Sequence, residues 1–243
     1  MTEKHVYIST PSGSGKPVAA YFKSLAETEA LLSDRGWRAS YDLHCGDIYI
    51  QSARNHMLAR FADSGASHNF MIDDDISWKA EDFLAILEMP EDFVFATYRL
   101  KNEDMSEDYP IGVHCDGFGR PIVSKNGLLP CSVGPTGFMR ITAQVVEDLM
   151  DAYPNQRYTQ WDRLGIKAIR LHDMFPQGAR GGKWWGEDAA FCNLYSGLIK
   201  QIWCAPNITL THHDRQNGKE YVGNYHEYLL RLSREQAAAK AVA

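Results

Sequence analysis

The residues best suited to chemistry stand where an apolar run ends in three successive aspartates, FMIDDDISW, Phe70 to Trp78. In an extended chain alternate side chains share a face, so Asp73 and Asp75 point together while Asp74 points away. Two hard carboxylates on one face suit Mg²⁺ or Mn²⁺, with positions left for phosphate oxygens. The plainer reading is a solvated acidic turn capping a helix that starts near Lys79. A second acidic pair, Glu187 and Asp188 in GEDAAFC, opens a helix, where acids are ordinary dipole and cap partners. The adjacent His212 and His213 follow an apolar stretch and read, taken alone, as surface histidines after a strand.

Two glycine-bearing segments invite a phosphate or ligand reading. GSGK at Gly13 to Lys16 is not a P-loop, because that pattern needs Gly where Thr10 stands and Ser or Thr where Pro17 stands. Gly134 to Phe138 holds Gly134 and Gly137 around Pro135 and Thr136, which suits a backbone passing close to a ligand or simply a strand turn.

The elements that must position these residues alternate through the first half. His5 to Thr10 has the apolar and β-branched content of a strand, followed by a glycine-rich break and an amphipathic helix over Pro17 to Ser33. Strands are predicted at Trp37 to His44, His68 to Asp73 and Asp92 to Tyr98, with helices at Ile50 to Asp63 and Lys79 to Glu88. This alternation predicts an α/β fold with a mostly parallel central sheet flanked by helices, and ligands at the carboxyl ends of the strands. The second half is less regular: a polar connection from Asn102 to Pro121, strands at Leu129 to Val133 and Phe138 to Ile141, and a helix over Thr142 to Asp151. A long insertion follows from Tyr153 to Trp185, then a helix from Glu187 to Ile199, strands at Ile202 to Ala205 and Ile208 to Thr211, and a last helix from about Lys219.

The chain of 243 residues, 44% apolar and 23% charged, suits one domain. Its formal charge of −6 excludes a generally basic nucleic-acid binder but not a local basic patch. The five cysteines contain no CxxC pair, which argues against a structural zinc site or a disulfide framework. With no secretory leader and no apolar run near the roughly 20 residues that span a bilayer, the expectation is a cytoplasmic protein without membrane insertion.

Taken in order with IDDDISW, the stretches SARN (Ser52 to Asn55), ATYRLK (Ala96 to Lys101), VGPTGFMRI (Val133 to Ile141), GEDAAFC and IWCAPNITLTHHD (Ile202 to Asp214) resemble the single-domain GT-A glycosyltransferases of bacteria and their phages. The resemblance runs from about His5 to Asp214. It implies a nucleotide-binding half over 1–100, an acceptor-binding half over 101–214 and a C-terminal helix over 215–243. It also implies a bacterial or phage-infected host cytoplasm.

On that resemblance Thr10 and Pro11 begin the nucleotide pocket, Arg54, Asp74 and Gly137 approach the donor, and Asp73 and Asp75 are the DxD pair. The pair would hold Mn²⁺ or Mg²⁺ against the diphosphate of a UDP- or GDP-sugar, with His212 completing the metal shell. The family has Gly two residues after that histidine where this chain has Asp214, which leaves His213 as the alternative ligand. In inverting members the acid of the ED pair removes the acceptor proton, which assigns Asp188, with Glu187 beside it, as the catalytic residues.

The acceptor is unidentified. Between Tyr153 and Trp185 stand six basic residues (Arg157, Arg163, Lys167, Arg170, Arg180, Lys183) against two acids (Asp162, Asp173), interleaved with Tyr158, Trp161, Phe175, Trp184 and Trp185. That mixture suits an anionic glycan, a lipid-linked sugar or a modified phage DNA base, with at least one of the paired tryptophans, Trp184 or Trp185, expected to be core. The competing functions are a nucleotidyltransferase acting on a sugar phosphate and a non-catalytic nucleotide-sugar-binding module.

Overall fold

The computed structural model describes residues 4–104, 106–161 and 168–242. In the first half, strand β1 (His5–Ser12) leads to helix α1 (Ala19–Asp34), β2 (Arg38–Cys45), α2 (Ile50–Ser64) and β3 (His68–Ile72). Then come the two-residue β4 (Ile76–Ser77), α3 (Ala80–Leu87) and β5 (Phe93–Phe95). Local chemistry sets these boundaries. Pro17 cannot donate into a helix and Val18 is extended, so α1 begins two residues later than its periodicity suggests. Gly65, at φ 71°, takes the left-handed conformation that closes α2.

The second half carries β6 (Gly112–Val113), β7 (Leu129–Val133), β8 (Phe138–Thr142), α4 (Ala143–Ala152), β9 (Arg157–Trp161) and β10 (Ala168–His172). It continues with β11 (Gly178–Arg180), β12 (Lys183–Trp185), α5 (Glu187–Ser196), β13 (Ile202–Cys204), β14 (Thr209–His213), β15 (Glu220–Asn224) and α6 (Tyr225–Val242).

Eight strands form the central sheet in the order β2-β1-β3-β8-β5-β13-β7-β6. The expected parallel character holds for β1 with β2 and β3 and for β5 with β13. It gives way where β8 inserts antiparallel between β3 and β5 and where β7 pairs antiparallel with β13 and β6. The sheet is therefore mixed. Parallel neighbours need a crossover connection, which α1 and α2 supply between β1, β2 and β3.

Alternation along the strands sorts side chains into two cores, one on each face of the sheet. Val6, Ile8, Phe70, Ile72, Val94 and Phe138 pack together, while Tyr7, Met71, Phe93, Phe95, Met139 and Ile141 join the other cluster. The buried Arg140 of β8 is the polar exception. It donates to the carbonyls of Ile86, Met89 and Glu91, at the end of α3 and in the turn that follows.

Three further expectations change. The insertion from Tyr153 to Trp185 contains two antiparallel hairpins, β9 with β10 and β11 with β12. Asp162, Arg163 and Lys167 lie outside the described residues. The C-terminal helix starts at Tyr225 because Glu220–Asn224 pairs with β14 as an added strand. The paired tryptophans are not core: Trp184 is 71% exposed and Trp185 half-buried. Among the described residues no helix is long and apolar enough to cross a membrane.

Candidate active site

The three aspartates form a turn rather than the end of a strand. β3 stops at Ile72, Asp73 takes the Gly137 carbonyl as partner for its amide, and the Ile76 amide closes back onto the Asp73 carbonyl. The turn sends the three side chains to different partners, and the ligand atoms of Asp73, Asp75 and His212 do not all lie within 4.8 Å of one another. Asp74 is buried, accepting from the Ser12 hydroxyl at 2.5 Å and pairing with Arg215, while its carbonyl receives the Val18 amide. It braces β1 against α1. Helix α3, whose N-cap is Lys79 without a side-chain cap bond, takes no cap from the triplet.

Asp75 is reached by strand β14, which pairs antiparallel with β4 and sets His212 opposite Ile76. His212 Nε2 lies 3.6 Å from Asp75 Oδ1. Its Nδ1–H donates to the Arg99 carbonyl at 3.0 Å, which turns Nε2 toward Asp75. Lys101 Nζ binds the other oxygen of Asp75 at 2.6 Å. Burial raises the Asp75 carboxyl, but His212 and Lys101 outweigh it and hold the group down at about 2. The neighbouring His213 faces elsewhere, toward the Ser77 hydroxyl at 2.8 Å and Glu220 at 3.5 Å.

Asp73 belongs to the adjoining group. Arg54, projecting from α2 with a side chain 2% exposed, donates from Nη2 to Asp73 Oδ1 at 2.9 Å, and its Nε stands 3.9 Å from Glu187. Its Nε and Nη1 make no hydrogen bond. The Tyr98 hydroxyl approaches the other Asp73 oxygen at 3.4 Å, and its ring meets His212 edge-on with centroids 4.9 Å apart. Tyr98 therefore spans the Asp73 and Asp75 groups. Burial, reinforced by Asp73 and Asp188, holds its phenol well above the usual range, so it stays a neutral donor.

Glu187 and Asp188 occupy the first turn of α5 after the Gly186 cap. The buried Thr136 hydroxyl donates to Asp188 Oδ1. Burial pushes the Asp188 carboxyl up to about 6, with Glu187 and Asp73 adding to the rise while Arg54 and Thr136 oppose it. A carboxyl poised there exchanges protons near neutral pH.

The glycines of the 134–138 segment serve close packing within the protein. A Cβ on Gly137 would stand 2.5 Å from Asp73 Oδ2 and 2.6 Å from the Tyr98 hydroxyl, and one on Gly134 would collide with the Phe95 ring. Gly137 lets β8 pass directly beneath the first aspartate. Thr10 and Pro11 close β1: the Thr10 hydroxyl is buried against the Tyr21 hydroxyl at 2.6 Å, and Pro11 is paired with His44 in register.

The structure thus brings Arg54, Asp73, Glu187 and Asp188 into one electrostatic group, with Asp75 and His212 joined to it through Tyr98. Thr10 and Asp74 turn into the supporting framework. Sequence reasoning assigned no role to Tyr98, Lys101, Thr136 or Asn55. The first two stand in ATYRLK and Asn55 in SARN, so the motifs flagged the segments without resolving their contacts. The Asn55 amide oxygen accepts from the Met174 and Phe175 amides, and its nitrogen donates to Asp173 at 3.1 Å. It fastens Asp173, Met174 and Phe175 to the helix that carries Arg54.

No family model matches the chain, and no curated protein matches it. Among solved structures, A197 from STIV matches with a TM-score of 0.50 and 13% identity, over 91% of this chain and 94% of that one. At that identity the likeness is one of fold alone. A glycosyltransferase involved in the glycosylation of the major capsid of PBCV-1 matches at a TM-score of 0.34 and 10% identity, over 61% of this chain and 66% of that one. The 4-diphosphocytidyl-2C-methyl-D-erythritol synthase from Anaerococcus prevotii matches at 0.34 and 8%, over 66% and 81%. Neither of these two likenesses carries an argument about this chain; its function has to be read from its site.

Proposed function

We propose that this chain is a metal-dependent glycosyltransferase of the GT-A type, which moves a sugar from a UDP- or GDP-sugar to an anionic acceptor. The observation that supports this most is the convergence of Asp75, from the aspartate turn, and His212, from β14, beside the Arg54, Asp73 and Asp188 group. An ionised carboxylate and an imidazole with its outer nitrogen already bonded suit a divalent ion, and the imidazole favours Mn²⁺ over Mg²⁺. Asp75 and His212, with Asp73, would hold it. When bound, the ion supplies positive charge to the departing diphosphate.

The remaining work falls to the chain's own residues. Arg54 and Lys101 are cations already held at the aspartates, and the two unbonded nitrogens of Arg54 are donors available to phosphate oxygens. Asp188, ionised above about pH 6 and positioned by Thr136, takes the proton of the acceptor hydroxyl as the sugar transfers. The hairpins supply the acceptor surface, where Arg157, Arg170, Arg180 and Lys183 are exposed beside Trp161 and Trp184. An anionic glycan or DNA meets that chemistry.

A donor screen with purified protein and Mn²⁺ tests the reading by measuring nucleoside diphosphate release across common nucleotide sugars. Metal-dependent release from one donor supports it. Consumption of a nucleoside triphosphate with a sugar phosphate, releasing pyrophosphate, would replace it with a nucleotidyltransferase, and no turnover together with metal-independent nucleotide binding would reduce the chain to a binding module.

A further inference from the structure

A second cluster of metal-ligating side chains lies apart from the aspartate turn. His44, at the end of β2, Asp47, in the following loop, and His56, on α2, place their ligand atoms within 4.8 Å of one another. Among the described residues this is the one group of three His, Cys, Asp or Glu side chains to do so. None belongs to a motif singled out in the sequence.

The outer atoms of all three side chains are already engaged. His56 Nδ1–H donates to the Ser52 carbonyl at 2.9 Å, which leaves Nε2 as a lone pair. Asp47 Oδ1 accepts the Tyr49 amide at 3.0 Å, and its Oδ2 stands 3.6 Å from His44 Nε2. His44 Nδ1 accepts from Arg60 Nη2 at 2.9 Å, and Arg60 makes two more bonds to Asp42, at 2.7 and 3.0 Å. The bonds to His56 and Asp47 are of the outer-shell kind that orients ligands toward a metal, whereas the Arg60 bond holds His44 in the other tautomer. His56 is 9% exposed, and the His44 and His56 rings stack with centroids 5.5 Å apart. Burial, aided by Arg60 and His56, lowers the His44 pKa.

We propose that His44, Asp47 and His56 form a binding site for a divalent transition metal of the zinc class, distinct from the Asp75–His212 site. Two imidazoles and one carboxylate are the donor set of borderline ions rather than of Mg²⁺. Three protein ligands leave a coordination position for a small molecule or water. The three residues line a cleft of about 500 Å³ with Tyr49, Gln160 and Trp161, so the site lies between the β2–α2 loop and the β9–β10 hairpin. Coordination through His44 Nε2 moves that ring's proton to Nδ1. The Arg60 bond to the ring is then given up, and the two bonds from Arg60 to Asp42 remain. The ion would tie the loop to α2, the helix that carries Arg54 and Asn55.

The test is a titration of the full chain, stripped with chelator, with Co²⁺ followed by its visible absorption and by Zn²⁺ displacement. In Asp75→Asn, where the aspartate-turn site is disabled, one equivalent is expected to bind and to raise the melting temperature, as any ligand selective for the folded state does. Asp47→Asn and His56→Gln, each checked for native circular dichroism, are expected to lose at least the ~10–100-fold that removing an outer-shell partner costs. Asp75→Asn and His212→Ala should retain the site. If His56→Gln does not fold, Asp47→Asn decides alone, since its side chain is in a loop. Failure of the wild-type chain to bind Co²⁺ or Zn²⁺, undiminished binding in Asp47→Asn, or loss of this binding in Asp75→Asn overturns the assignment. Glycosyl transfer is not measured in any arm, so the outcome is separable from the proposed activity.

Discussion

Replacing Arg54 with methionine should cost more stability than any other single change in the site. The side chain is 2% exposed, bonds Asp73 at 2.9 Å, approaches Glu187 at 3.9 Å and acts electrostatically on Asp188. Burial would lower its pKa, but the three carboxylates overcome that and raise it, so the guanidinium is the counter-ion of all three. Methionine keeps much of the volume and removes the charge. Breaking a buried pair in this way leaves uncompensated charge and costs roughly 3–5 kcal/mol. For a chain of this size each kcal/mol moves the melting temperature by ~2–4 °C, so the expected drop at pH 7.5 is roughly 6–20 °C.

The pH dependence carries a definite sign. Asp188 already has a folded-state pKa raised from 3.8 to about 6, and Arg54 is the main group opposing that rise. Without Arg54 the folded pKa climbs further. A carboxyl with a raised folded pKa destabilises the fold fully above that pKa, and the cost disappears as pH falls toward the unfolded value. The deficit of Arg54→Met should therefore narrow between pH 7.5 and 5. Adding Asp188→Asn should restore part of it at pH 7.5, with a coupling of about 0.5–3 kcal/mol. Calorimetry on the four proteins at both pH values measures this. A deficit under about 1 kcal/mol, or one unchanged by pH and by Asp188→Asn, would refute the counter-ion role.

Three further outcomes are expected. Transfer should fall as pH drops below about 6, while Asp188→Asn loses roughly 10²–10⁴ in turnover with nucleotide affinity kept and Thr136→Val shifts the acid limb to higher pH; steady-state profiles of the three enzymes check this. Gly137→Ala should destabilise by about 1–3 kcal/mol and weaken Mn²⁺-dependent nucleotide binding, because its methyl meets Asp73 and the Tyr98 hydroxyl; denaturant melts and calorimetric titration report both effects. Nucleoside diphosphate binding should lose its Mn²⁺ dependence in Asp75→Asn and His212→Ala and keep it in His213→Ala, since His213 faces Ser77 and Glu220; the reverse order for the two histidines would exchange their roles.

Much of this architecture was legible along the chain because it depends on local periodicity. The alternating strands and helices of the first hundred residues follow from apolar spacing and from breakers such as Pro17 and Gly65, and Glu187 and Asp188 open their helix as first-turn acids do. His212 and His213 part because β-strand alternation sends neighbours to opposite faces. What the tertiary structure decided was pairing between distant segments. That β8 inserts antiparallel between β3 and β5, and that β15 adds to β14, depends on which edges meet, and local sequence does not encode that choice.

The same limit applied to the site. Three consecutive aspartates announce negative charge, but their partners lie far along the chain: Arg54 for Asp73, Ser12 and Arg215 for Asp74, Lys101 and His212 for Asp75. The elevated pKa of Asp188 likewise arises from burial beside Glu187 and Asp73, and enclosure exists only after the chain has folded around the residue. Residue type and spacing set which groups could react, whereas packing between remote segments set which of them meet and in what state of charge.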